Sequence, residues 1–488
     1  MEYSVKKALG ILLALSMILS LGACAASDGP SSLPEQVVSG GGAIDFSSSG
    51  SGREPVDGEY PPAVEEAPSS VPLSSSSLAS YSSSSISYPE SSSSSAPAPS
   101  SSSAASSSSS SSVSQAPEED EEEEEEASRP SSGDVDEVRA VWLSYLDLGP
   151  MLQNRSESAF TSSIRAAFDQ ILDLGLNTVY AQVRPFGDAL YYSDYFPSSY
   201  LFTGTEGEIG SQPYDALAIM VREAHSRGLR IEAWINPYRI RTSDKPLSDD
   251  NPAWDMLETG DALRYDGGIY YNPGSEAARE LIVNGVREIV ENYDVDGIHF
   301  DDYFYPPNAG SSFDAETYQS SGTSLSLGDW RREQVNILVR RVYNAVGTDK
   351  VFGVSPAGNN ENNYSSLYCD VEEWLTNPGY VDYICPQVYF GFDNSVKPYK
   401  STVREFDGMI SQSGVKLYVG LAAYKIGDGQ YGSEWASNTD IMARQVAYAR
   451  TVSHYGGFAL YRYDSLFNPA SGVAWAVEEE LANLENIF

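Results

Sequence analysis

From Val138 onward, short β-branched or aromatic runs recur, each followed by a longer stretch with helical spacing of its apolar residues. This alternation limits the available folds more than any other feature. The candidate strands are residues 138–145, 178–183, 230–235, 297–301, 351–355, 381–388, 416–422 and 457–462. Amphipathic stretches lie between them at 159–174, 214–227, 275–292, 330–346 and 438–454, and a last one follows Pro469. Strand then helix, eight times over about 350 residues, predicts a (β/α)8 TIM barrel enlarged by βα-loop insertions. A doubly wound sheet is the alternative, but the repeats are near-equal and lack a Gly-rich phosphate turn, which favours closure.

The first quarter of the chain reads differently. Lys6 and Lys7 precede an apolar run, and the segment closes on Leu21-Gly22-Ala23-Cys24. That is the form of an export signal too short to span a membrane as a mature helix. Its ending resembles a bacterial lipobox, which makes residues 1–24 a lipoprotein signal peptide and Cys24 the expected lipidation site. Residues 25–136 are Ser, Pro, Gly and acid, with nine consecutive acidic residues from Glu118 to Glu126. So few large apolar groups cannot offset the entropy of ordering, so a disordered linker is expected, with an r.m.s. span of roughly 55 to 60 Å. The predicted arrangement is a single barrel, 137–488, tethered outside the cytoplasm to the cell membrane by a lipid anchor.

Charge supports this division. The whole chain carries −39; residues 1–137 hold 22 acidic and 4 basic groups, net −18, and the rest hold 47 and 26, net −21. Neither part has the basic footprint that nucleic acid demands, and membrane contact is expected through the lipid only.

In a barrel of this kind, chemistry belongs at the carboxyl ends of the strands. There the sequence gathers amides, aromatics and acids. The second strand ends on Gln182 and Arg184, and the third on Trp234, Asn236, Tyr238 and Arg239. The fourth runs through His299, Asp301, Asp302 and Tyr303, the sixth ends on Gln387 and Tyr389, and the eighth on Tyr461 and Arg462. With Asn272, these residues are the candidate substrate-binding set around the acids. Aromatic faces beside amides and carboxylates suit sugar rings, and Tyr alone numbers 33.

Glycosidic cleavage generally uses two carboxyl groups. Successive side chains on a strand point to opposite faces. Asp301 is therefore assigned to the lumen with His299 and Tyr303, Ile298 and Phe300 to the outer face, and Asp302 to a supporting role. Glu361, in the polar loop after the fifth strand, is preferred as the second carboxylate over Asp393, Asp428 and Asp464. The histidines, His225, His299 and His454, are scattered, so no multi-His metal centre is expected, and no cofactor fingerprint is correctly placed. Cys369 and Cys385 permit either a disulfide or two buried thiols.

The segments 138–142, 182–185, 233–239, 296–306 and 386–389 resemble the glycosyl-hydrolase-like 10 family, through essentially all of 138–488. The resemblance implies a (β/α)8 glycosidase, and one characterised kind of member is an envelope lipoprotein acting on peptidoglycan glycan strands stripped of stem peptides. By resemblance, the substrate is such strands or a related wall polysaccharide. The fourth strand is also similar to α-amylase-like barrels, whose nucleophilic Asp stands two residues after a basic side chain, as Asp301 stands after His299. It departs from chitinase-like barrels, since Tyr303 stands where those carry Glu, and with a 2-acetamido sugar Asp301 could instead orient the amide. The competing expectation is a non-catalytic carbohydrate-binding barrel that recruits partners to wall glycan, and fold alone does not separate the two. Oligomeric state is not legible.

The lipobox reading is checked directly. Cys24→Ala should move the protein from the membrane fraction to the medium, and unchanged membrane retention would refute lipidation at Cys24.

Overall fold

The structure, a computed structural model, describes residues 136–242, 246–306 and 308–488. The signal peptide, Cys24 and the linker, apart from Asp136, lie outside the described residues. Among the described residues eleven strands follow in chain order: β1 Val138–Leu143, β2 Thr178–Arg184, β3 Arg230–Ile235, β4 Arg239–Arg241, β5 Ala262–Tyr265, β6 Gly268–Tyr271, β7 Gly297–Phe300, β8 Val351–Val354, β9 Tyr383–Ile384, β10 Lys416–Ala422 and β11 Tyr455–Tyr461. Eight of them close into a parallel barrel in the order β1-β11-β10-β9-β8-β7-β3-β2. A helix follows each barrel strand, so the fold is a (β/α)8 barrel and the doubly wound alternative is excluded.

The helices start where side chains can satisfy their free backbone N–H groups. Ser156 accepts from Ala159 N at 3.3 Å, Asp215 from Ala218 N at 2.8 Å, Ser275 from Ala278 N at 3.1 Å and Ser326 from Asp329 N at 3.2 Å. These caps open helices Glu157–Asp173, Ala216–His225, Glu276–Asn292 and Leu327–Val346.

Strand alternation divides the buried side chains into two cores. Outward residues such as Val179, Ala181, Ile298, Phe300 and Val354 join the large layer between strands and helices. Inward residues form a second cluster inside the barrel, including Trp142, Tyr180, Trp234, Tyr383, Cys385 and Tyr418. Large rings fit the lumen because small residues face them. A Cβ at Gly420 would stand 3.1 Å from Trp142 Cη2, and one at Gly353 would land on the Tyr383 ring.

Two features of the backbone differ from the sequence reading. The sixth strand is two residues long rather than 381–388, because Pro386 has no N–H to donate to a ladder. Its direction persists, with Gln387 bridging Ala357 and Gly420. The connection after β3 contains an antiparallel sheet of order β4-β6-β5 that the eightfold repeat did not reveal. Cys369 and Cys385 are both free and buried, the first in the outer core and the second in the lumen.

Gly353 provides a test of lumen packing. Gly353→Ala should lower stability by about 2 kcal/mol or more, as overpacking in a filled core does, measured by denaturant unfolding. An unchanged midpoint would show that the Tyr383 ring is free to move.

Candidate active site

The lumen beneath the mouth is a column of polar rings. The His299 imidazole stacks on Tyr180 with centroids 4.2 Å apart. Trp142 Nε1 donates to His299 Nε2 at 3.1 Å, so the neutral ring carries its proton on Nδ1, which faces the Tyr383 hydroxyl at 2.8 Å. Tyr383 in turn donates to Glu232 Oε2 at 2.5 Å. Burial pushes His299 down to about 3 and keeps it uncharged. Burial also pushes the Glu232 carboxyl up to about 8, against the opposing charge of Arg230 and the Tyr383 hydrogen bond. His299 thus lies under the site with both nitrogens engaged, not on the ligand face.

One layer above, amides from three strands converge on one carboxylate. Gln182 accepts from Tyr145 N at 2.9 Å and donates to Asn236 Oδ1 at 2.8 Å. Asn236 donates to Asp301 Oδ2 at 3.3 Å, and Gln387 donates to Asp301 Oδ1 and to the Ser355 carbonyl, both at 3.2 Å. The Asp302 backbone N–H adds a third donor to Asp301 at 2.8 Å. Asp301 is buried, 8% exposed, and only accepts, the role of an ionised carboxylate.

Asp302 completes the pair. The strand ends at Phe300 and the chain bends through Asp302, so alternation no longer forces the two acids apart. Burial and the adjoining Asp301 carboxylate push the Asp302 carboxyl well above the usual range, while Gln387 works in the other direction. Its Oδ1 is buried without a partner, as is Trp234 Nε1 in the lumen.

Aromatics frame these acids. The Tyr303 hydroxyl is raised by burial and by Asp302 and Asp301, with Arg239 opposing them. The Tyr461 ring stands 5.8 Å from Tyr389, 5.9 Å from Trp142 and 6.1 Å from Tyr424. Arg239 lies over Phe186 at 4.7 Å and Tyr303 at 5.5 Å. Thus Gln182, Trp234, Asn236, Arg239, Tyr303, Gln387, Tyr389 and Tyr461 gather at or just beneath the mouth. Trp142, Tyr145, Phe186 and Tyr424 belong with them although sequence reasoning did not select them. Trp142 could have been found from its place near the end of the first strand.

Other candidates are placed elsewhere. A register shift between Gln182 and Arg184 turns Arg184 into the outer layer, its guanidinium 4.3 Å from the Phe196 ring centre. Tyr238 is a buried outer-core ring facing Phe304. Asn272 holds loops together, donating to the Gly260 carbonyl at 2.9 Å and Thr317 Oγ1 at 2.6 Å. Arg462 pairs with Asp147, and its other arm faces Asp464 at 3.8 Å. Glu361 and Asp393 are exposed, and Asp428 caps the turn at Gln430. None of these three, nor Asp464, is hydrogen-bonded to Asp301 or Asp302.

A closed (β/α)8 barrel with coupled carboxyl groups and aromatics at its carboxyl mouth defines a barrel of the glycosyl-hydrolase kind. Comparison with known proteins agrees: the chain belongs to the glycosyl hydrolase-like 10 family, whose sequence profile matches residues 137–437. Glycosyl hydrolase YngK of Bacillus subtilis (strain 168) is 33% identical over 372 residues, 71% of this chain and 72% of that protein. Glycosyl hydrolase DigH of Escherichia coli (strain K12) is 33% identical over 374 residues, 68% of this chain and 84% of that protein. Among solved structures, the PgaB (BpsB) glycoside hydrolase domain from Bordetella bronchiseptica covers 70% of this chain and 98% of its own at 15% identity, with a TM-score of 0.47.

The buried Glu232 carboxyl gives a pH test. Between its ordinary value of 4.5 and about 8, the unfolded chain releases this proton and the folded chain keeps it. Its contribution to stability therefore falls as pH rises through that window and is flat above it. Glu232→Gln, which still accepts from Tyr383, should gain on the wild type by up to a few kcal/mol between pH 5 and 9. Parallel stability curves would refute a buried, protonated Glu232.

Proposed function

We propose that this protein is a cell-envelope glycoside hydrolase that cleaves O-glycosidic bonds of wall polysaccharide, with peptidoglycan glycan strands freed of stem peptides as the preferred substrate. The observation that carries the reading is the coupled pair at the mouth. Asp301 is held as an acceptor by Asn236, Gln387 and a backbone N–H, while Asp302 beside it is pushed towards its protonated form. Two carboxyl groups whose environments drive them apart supply an acid and a base from one pair.

In this mechanism Asp302 protonates the leaving oxygen, and Asp301 acts at the anomeric centre, as nucleophile or base or by orienting a 2-acetamido group of the substrate. Trp234, Tyr303, Tyr389 and Tyr461 form the sugar-facing wall, and Gln182 fixes Asn236, which fixes Asp301. Glu361 remains a loop carboxylate that a bound chain could meet. Family membership and the likeness to the glycosyl hydrolases YngK and DigH support glycosidase activity; the choice of wall glycan rests on the family resemblance and on the export signal. The export signal read in residues 1–24 supports a location outside the cytoplasm, with Cys24 as the lipid anchor.

The test is release of new reducing ends from purified denuded glycan by the full chain. Asp301→Asn should lower turnover by about 10³-fold, and Asp302→Asn by about 10² to 10⁴-fold, the range general acid catalysis supplies. Activity should be present below the raised Asp302 pKa and decline as pH rises through it, and Asp302→Asn should lose that alkaline limb. Equal product from wild type and Asp301→Asn would refute the site. No product from wild type, with retention on the glycan, would instead identify a carbohydrate-binding barrel.

A further inference from the structure

Arg239 is held more firmly than a surface cation needs to be. Its backbone pairs with Tyr270 in the β4–β6 ladder. Its Nε donates to the Pro185 carbonyl at 3.0 Å, and its guanidinium is laid over the Phe186 and Tyr303 rings. Two residues on, Arg241 has a counter-ion in Glu206 at 3.0 Å. Arg239 has none among the described residues, and the Nε bond to Pro185 is its side chain's single hydrogen bond there. The two terminal nitrogens are therefore free, in the planar fork that matches a carboxylate.

Its position is equally specific. The Tyr303 ring on which the guanidinium lies, 5.5 Å from its centre, belongs to the residue directly after Asp301 and Asp302, which brings the cation beside the acids. In a chain of net charge −39, this guanidinium is fixed by Pro185, Phe186 and Tyr303 yet has no carboxylate as its ion-pair partner among the described residues. Because the side chain is already ordered, an incoming anion gains the charge-assisted hydrogen bonds without the cost of immobilising it.

We propose that Arg239 recognises a carboxylate on the sugar adjoining the scissile bond, and so makes the barrel selective for anionic glycan. The inference rests on the glycosidase reading above and deepens it. In wall glycan, the lactyl group of the muramyl ring ends in an amide while a stem peptide is attached, and in a carboxylate once water has cleaved that amide and released the peptide's amine. The fork accepts the carboxylate and offers nothing to the amide N–H.

The experiment uses the full chain on two preparations of the same strands: denuded glycan with free lactyl carboxylates, and that glycan with the carboxylates converted to methylamides. Wild type should show about 10- to 100-fold higher kcat/KM on the carboxylate strands, the range a charge-assisted bidentate contact provides, and mostly through KM. In Arg239→Gln this ratio should fall close to one, and Arg239→Lys, a point charge without the fork, should lie between. Equal rates of wild type on both strands, or an Arg239→Gln loss of the same proportion on both, would overturn the inference. If wild type cleaves neither, the glycosidase reading fails, and retention of the full chain on the two immobilised strands decides: a carboxylate preference lost in Arg239→Gln supports the inference, and equal retention overturns it.

Discussion

Closure of eight parallel strands forces the rest of this structure. A closed barrel has no edges, but its interior must be filled by side chains from alternate positions on every strand. Here the filling is aromatic and polar: Trp142, Tyr180, Trp234, His299, Tyr383 and Glu232. Polar groups in such a place are costly unless partnered. The bonds Trp142 to His299, His299 to Tyr383 and Tyr383 to Glu232 satisfy four of these six side chains in one chain that spans β1, β7, β9 and β3, while the Tyr180 hydroxyl and Trp234 Nε1 are left without a partner. A group in that chain cannot shift without stranding its neighbours, so the column fixes the relative height of four strands.

That height sets the geometry above it. Gln182, Asn236 and Gln387 stand near the ends of different strands, and all three contribute to holding Asp301. An error of one residue in register would point each amide at the helix layer instead. Arg184 shows what such a shift does: past the irregularity after Gln182, its side chain leaves the lumen for the outer layer. The coupling of Asp302 to Asp301 follows from the same frame. Burial makes a charge on Asp302 costly, and the Asp301 carboxylate held beside it adds to that cost.

The legible part of the chain was the part governed by repetition. Eight apolar runs located the barrel strands, and period-two alternation placed His299 inside and Ile298 and Phe300 outside. What escaped were departures from period. Asp302 was given only a supporting role by the alternation rule, but β7 stops one residue before Asp301 and the rule stops with it. Arg184 was misdirected by a register shift, which leaves no compositional mark. Tyr238 and Asn272 lie in the connection after β3, whose three short strands carry no repeat. Glu361 was favoured by sequence proximity to a strand end, whereas exposure and partners are decided by how the loop folds back.

Electrostatics at the mouth are likewise local, and this makes an acidic protein compatible with the anionic ligand proposed for it. The net charge of −21 on residues 138–488 is spread over the barrel surface. At physiological salt, screening removes most of the interaction between exposed charges beyond about 8 Å. A bound polymer therefore responds chiefly to the groups it touches. At the mouth those groups are a carboxylate whose acceptor sites are filled by amides, a carboxyl pushed towards neutrality, and a guanidinium fixed between two rings. The region where a sugar ring would sit is thus much less negative than the surface around it, and this difference is built by hydrogen bonding and burial, not by the overall composition.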